Sequence, residues 1–406
     1  MLKSEMGAFN PRLLAISTMK QATEELERVS ADKYGVIEMA SKTLTRCIKV
    51  AGLECRQANI LKQEMLSVGG DAAVARGTVA CSVKSTDCIL IGTEKQLSKL
   101  CKKLLLQPFS LSSLAVELTD LISSIAKPPL LWRTSRRAIS LERPLIMGII
   151  NLTPDSFSDG GLCVRPDIAV ERALQMEDEG ADIIDIGGES TRPGATAVSA
   201  ELELSRVIPV IEKLAGRVSC AISIDTWKSS VAVRSVDAGA EIVNDISGFN
   251  FDAGMPSVVS ESSAAVVLMH TRGTPDKMQQ DTGYSDLMAE ISAGLRTSLS
   301  LASAAGIPAD AIAIDPGIGF GKSVAGNMEL IRRLSELSGY ALPILTGPSR
   351  KSFIGSVLGR EQTDDRLFGT AAAVALSIKN GASIVRVHDV KAMRDVADMA
   401  YAIMHS

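Results

Sequence analysis

This sequence has no surplus of basic charge. Its 43 Lys and Arg stand against 47 Asp and Glu, a formal net charge of −4, so it lacks the electrostatic footprint of a nucleic-acid binder. It has no apolar run near the ~20 residues that cross a bilayer: AAVVLM at 264–269 is typical of the longest. The N-terminus also lacks the continuous core of a signal peptide, and a cytoplasmic chain with no membrane partner is expected. Seven cysteines form an odd set without a CxxC pair, which argues for reduced, mostly buried thiols over a disulfide framework or a metal knot. Histidine is scarcer still: His270, His388 and His405 are the only three. What these absences leave is small-molecule chemistry in a globular protein.

The chain is long, with 406 residues of which 46% are hydrophobic, enough for a large core and for two or three domains. The stretch KPPLLWRTSRRAISLERP at 127–144 combines three prolines with a basic cluster and marks the best boundary. Residues 1–127 are expected to form a small N-terminal α+β domain, and 128–143 a linker. Apolar periodicity there predicts helices over 36–50, 94–105 and 111–125, with short strands at 79–83 and 88–91. No chemical motif stands out in that part.

Beyond Pro144, short aliphatic runs alternate with helical segments, the pattern of parallel βα units. Eight strands are expected, at 145–150, 183–186, 221–224, 241–243, 264–269, 311–314, 342–345 and 383–387. The span 144–406 is close to the ~250 residues of a (β/α)8 TIM barrel. The fold class read from sequence is therefore α/β, a TIM barrel with an additional small N-terminal α/β domain. An open doubly wound sheet is the alternative, and eight regular repeats favour closure.

In such a barrel the chemistry sits at the C-terminal strand ends, because the interior is packed and the βα loops open there. The expected ends carry Asn151, Asp185, Asp225, Asn244 with Asp245, His270 with Arg272, Asp315, then Ser349, Arg350 and Lys351, and finally Arg386 with His388. Turn formation and helix capping explain any one such Asp or Asn; they do not explain eight polar ends in succession. The loops after strands seven and eight are the usual phosphate site of this fold, and Ser349, Arg350, Lys351, Arg386 and His388 suit an anion such as a diphosphate. Asp225, Asn244 and Asp315 suit the edge of a flat amino-oxo heterocycle. GIGFGKS at 317–323 is no phosphate-cradling P-loop, since Pro316 occupies the position where the first glycine would have to be.

Seven ordered blocks, NLTPDSFSDGG, GGESTRPGA, SIDTWK, NDISG, DPGIGFGK, GPSRKSFIG and RVHD, closely resemble the dihydropteroate synthases across essentially all of 144–406. The resemblance implies condensation of 6-hydroxymethyl-7,8-dihydropterin diphosphate with 4-aminobenzoate in folate biosynthesis. It implies that Asp225, Asn244 and Asp315 hold the pterin, with Lys351 on its face. Asn151, Arg386 and His388 would bind the diphosphate, Asn151 also touching Mg²⁺. Thr191 and Arg192 would meet the aminobenzoate, whose ring would pack near Phe320; sulfonamides bind in that pocket in the family, and the family forms homodimers. Lys351, Arg386, His388 and Asp225 are the expected catalytic set. A pterin-binding methyltransferase domain of the same fold is the nearest rival, but it has no use for the SRK and RVHD blocks. A non-catalytic pterin-binding protein is the rival from another class.

Overall fold

The computed structural model describes residues 11–153, 165–190 and 198–406. It divides into two compact units, Met1–Ala126 and Lys127–Ser406.

The larger unit is built on eight parallel strands: β1 Leu145–Asn151, β2 Ile183–Gly187, β3 Ala221–Asp225, β4 Ile242–Asp245, β5 Ala265–Met269, β6 Ile312–Asp315, β7 Leu345–Thr346 and β8 Ile384–Val387. Each pairs with its sequence neighbour from β1 to β6, and β8 lies between β1 and β7. A parallel bridge from Ile314 to Ile344 joins β6 to the residue preceding β7, with the Ile314 amide donating to the Pro343 carbonyl at 2.9 Å. The sheet thus closes into a (β/α)8 barrel. The strands read as near-continuous aliphatic runs because both of their faces are covered, by the lumen on one side and by helices such as Ala200–Leu214, Leu287–Ala304 and Leu367–Lys379 on the other. The expected strands are all present, most displaced by one residue; β7 is shorter than the expected 342–345.

A strand alternates its side chains with period two, so lumen-facing positions can be counted along each one. At the N-terminal end these are Leu145, Met147, Ile183, Ala221, Ile242, Ala265, Val267, Ala313, Leu345 and Ile384, which form one apolar cluster with Trp132. Trp132 belongs to a hairpin, Leu131–Arg133 paired with Ala138–Ser140, within the stretch read as a linker. The segment is more than a connector, because its indole is fully buried and donates to the Ala311 carbonyl at 3.1 Å. Buried Glu241 anchors the hairpin turn, accepting from Thr134 Oγ1 at 2.6 Å and pairing with Arg137 at 2.9 Å.

The smaller unit carries a three-stranded antiparallel sheet with Ser85–Thr93 between Thr45–Glu54 and Asp71–Val74. Leu90 and Cys88 face helices Cys55–Ser67, Glu94–Leu104 and Leu111–Ala126, burying Leu61, Met65, Leu97, Leu100 and Leu118. Two expectations fail in this unit, and one helix has no counterpart in the sequence reading. The helix placed at 36–50 ends as Lys33–Thr43 and gives way to a strand, since Cys47, Ile48 and Val50 fit both a helical and an extended spacing. Residues 79–83 form turns rather than a strand, and helix Cys55–Ser67 was not foreseen. Its start is fixed by a capping box between Glu54 and Gln57.

Candidate active site

Continuing the lumen-facing count up each strand reaches Asp185 and Gly187 on β2, Asp225 on β3, Asn244 on β4, Asp315 on β6, and Arg386 followed by His388 on β8. One apolar cylinder thus turns polar in its upper half, and these charges converge by register rather than by loop placement. Arg386 Nε donates to Asp185 Oδ2 at 2.6 Å and its Nη2 to Asp225 Oδ2 at 2.5 Å. The same Asp185 oxygen accepts from Asn244 Nδ2 at 3.1 Å. Burial pushes the Asp225 carboxyl up, against the pull of Arg386 and aided by Asp185.

Asp315 ends β6 and caps the turn that follows, accepting from the Gly317 amide at 2.7 Å. Burial raises its carboxyl to about 6, while that amide and the charges of Lys351, Lys322 and Arg386 oppose the rise. The turn GIGFG needs its glycines. Gly317 and Gly319 have φ of 74° and 83°, and a Cβ on Gly317 would lie 2.0 Å from the His270 carbonyl oxygen. This winding lays Phe320 under Lys351, whose Nζ sits 4.1 Å from the ring centroid. Burial, then Arg386, lowers the Lys351 ammonium to about 8, with Asp315 and Asp225 resisting.

On the far wall His388 Nδ1 lies 3.0 Å from Ser349 Oγ, which also accepts from the His388 main-chain amide at 3.2 Å. Burial, followed by Arg386 and Arg350, pushes the imidazole down to about 3, so the ring is neutral at physiological pH. The hydroxyl accepts one bond from the main chain and keeps a proton that it can give to Nδ1. In that tautomer the ring proton sits on Nε2, a neutral donor.

Of the sequence-derived residues, Asp225, Asn244, Asp315, Phe320, Lys351, Arg386 and His388 come together at this rim, and Asn151 ends β1 there. Thr191 and Arg192 lie outside the described residues. Arg350 is not available for an anion as its residue type suggested, because Asp389 holds it at 2.7 and 3.0 Å and Asp364 at 2.6 Å. His270 also has a packing role. It is wedged between Tyr284 and Lys322, and burial depresses it to about 3. Two groups had no role assigned from sequence. The sequence identifies Asp185 only as a polar strand end, and a carboxylate among isoleucines in IIDIG is the available signal. Lys322 is buried, donates to the Phe320 carbonyl at 2.9 Å, and is lowered by burial to about 7. Beside the rim, Lys228 bridges Glu203 at 2.6 Å and Glu189 at 3.0 Å, and Trp227 also donates to Glu189, which braces the exits of β2 and β3.

Residues 147–388 match the family model described as pterin binding enzyme. A dihydropteroate synthase of Synechocystis sp. is 45% identical over 262 residues, covering 64% of this chain and 91% of that protein. A probable bifunctional folylpolyglutamate synthase/dihydropteroate synthase of Halobacterium salinarum is 41% identical over 375 residues, 92% of this chain. The chain spans only 45% of that bifunctional protein. Among solved structures, a dihydropteroate synthase of Xanthomonas albilineans with 4-aminobenzoic acid superposes with a TM-score of 0.65 at 42% identity, covering 69% of this chain and all of that one. By matched family, by identity along the barrel and by fold, the chain belongs to the dihydropteroate synthase family of pterin-binding enzymes.

Proposed function

We propose that this chain is a dihydropteroate synthase, joining 6-hydroxymethyl-7,8-dihydropterin diphosphate to 4-aminobenzoate and releasing diphosphate. The observation that carries the reading is the meeting of two kinds of side chain in one lumen. Asp225, Asn244 and Asp315 offer the donors and acceptors a heterocycle edge needs, and Arg386, His388 and Lys351 offer what an anion needs. A methyltransferase on the same barrel would need the first group without the second.

The chemistry follows from charge. As the bond from the pterin methylene to the diphosphate lengthens, negative charge grows on the leaving oxygens and positive charge on the methylene carbon. Arg386 and the His388 Nε2 donor stabilise the former, and the carboxylates of Asp225 and Asp315 the latter. The aniline nitrogen is nucleophilic without a strong base. Its proton can pass to the departing diphosphate or to water. Lys351, held over Phe320, forms the wall between the two reactants. Thr191, Arg192 and Phe320 are assigned to 4-aminobenzoate, and sulfonamides would compete there.

Among the described residues no group of three or more His, Cys, Asp or Glu side chains could hold a metal ion. The Asn151 amide oxygen at the end of β1 is a hard protein ligand of the kind Mg²⁺ takes, and substrate phosphates and water would supply the rest of its coordination. When bound, it would neutralise the diphosphate and make it a better leaving group. No helix among the described residues is long and apolar enough to cross a membrane, in keeping with a cytoplasmic transferase. Helices Leu367–Lys379 and Val390–His405 expose Phe368, Leu376, Met399 and Ile403, which supports a homodimer through the outer ring.

The test is a product assay with both substrates and Mg²⁺, following dihydropteroate and diphosphate together. Equal yields of both are expected, with activity lost in excess chelator and restored by Mg²⁺. Diphosphate release without coupling to aminobenzoate would overturn the reading.

A further inference from the structure

We infer that Asp185 is a positioning residue for this reaction, one that touches neither substrate but fixes the orientation of Arg386 in the anion subsite and of Asn244 in the heterocycle subsite. The inference rests on the roles proposed above for those two residues. Asp185 faces the lumen one layer below Asp225: β2 and β3 pair Asp185 with Ser223 and Gly187 with Asp225. It is fully buried. Its Oδ2 holds both partners, Arg386 Nε at 2.6 Å and Asn244 Nδ2 at 3.1 Å, while Oδ1 is buried without a hydrogen-bond partner among the described residues.

A buried carboxylate with one oxygen unanswered is costly to keep, and its neighbours Ile183, Ile184 and Ile186 show what packing alone would select. Its geometry gives the compensating gain. An asparagine amide can present either its NH2 or its oxygen to a ligand. Asp185 binds the NH2, so Asn244 must turn its acceptor oxygen toward the cavity. The guanidinium, held at Nε by Asp185 and at Nη2 by Asp225, cannot rotate about either bond, and Nη1 is left for the leaving group. Removing the Asp185 charge frees both side chains at once, although neither subsite loses a ligand.

The experiment measures both KM values and kcat for wild type, Asp185→Asn, Arg386→Lys and the double variant. For Asp185→Asn the KM for pterin diphosphate is expected to rise at least about tenfold, with the KM for 4-aminobenzoate changed less than about twofold. In the Arg386→Lys background the effect of Asp185→Asn should shrink to the part that acts through Asn244, because Asp185 and Arg386 act as one unit. Equal rises in both KM values, or additive effects, would overturn the inference. If Asp185→Asn does not fold, Asp185→Ser is measured in its place, and failure of both to fold makes the role purely structural and likewise overturns it. Calorimetry with inorganic diphosphate separates this inference from the assigned reaction. Weaker diphosphate binding by Asp185→Asn than by wild type supports positioning even if no pteroate forms, and unchanged binding counts against it.

Discussion

The two ends of the barrel use the same strands to opposite purposes. At the N-terminal end every lumen position is apolar, and Trp132 fills the centre. Two to four residues along the same strands, the lumen holds Asp185, Asp225, Asn244, Asp315 and Arg386, and burial pushes the carboxyls of Asp225 and Asp315 up. The lesson is that one alternating register can supply a packed floor and a polar cavity, with stability concentrated at one end and chemistry at the other.

Substitutions can break that division in either direction, and the largest effect is expected at the floor. Trp132→Ala should remove about 3–5 kcal/mol of unfolding free energy by leaving a cavity, with KM values of the remaining folded enzyme unchanged; denaturant titration beside kinetics checks it. Arg386→Ala should reverse the pattern, lowering kcat/KM by roughly 100-fold or more in coupled diphosphate-release assays. It also strips Asp185 and Asp225 of their partner, so a smaller loss of stability accompanies it. Lys351→Ala should cost roughly tenfold in turnover with the fold intact, as circular dichroism would verify. The mildest effect is in pH. Asp315, raised from 3.8 to about 6, favours the folded state when protonated, so its contribution to stability is complete below about pH 4 and lost as pH climbs through 6. Activity that needs its carboxylate should rise over that same interval. An Asp315→Asn variant whose rate profile keeps an inflection near pH 6 would remove this residue from the explanation.

Much of the barrel is legible in sequence because its strands are fully covered and therefore largely aliphatic, with a polar residue at or near the end of each. That is why Asp225, Asn244, Asp315 and Arg386 could be placed before any coordinates. The N-terminal unit is harder to read. Its strand Thr45–Glu54 is buried on one face only and follows directly on a helix, so the apolar spacing runs through the boundary without a break. Arg350 and His270 show a different limit. Sequence offers Arg350 as an anion ligand and His270 only as a strand-end residue, and the positions of Asp389, Asp364 and Lys322 reveal that each is already engaged. Asp185 is the converse case, since a residue that reads as one polar strand end among eight holds both Arg386 and Asn244 through a single oxygen.

The hairpin that carries Trp132 also changes where the catalytic domain begins. A chain trimmed to start at the first barrel strand would keep all eight staves and every side chain at the mouth, yet lose its stopper, admitting water to the greasiest layer of the cylinder. The tryptophan lies thirteen residues ahead of Leu145 in sequence and holds the far end of the barrel shut, so this short upstream ribbon is as much a part of the enzyme as any strand it seals.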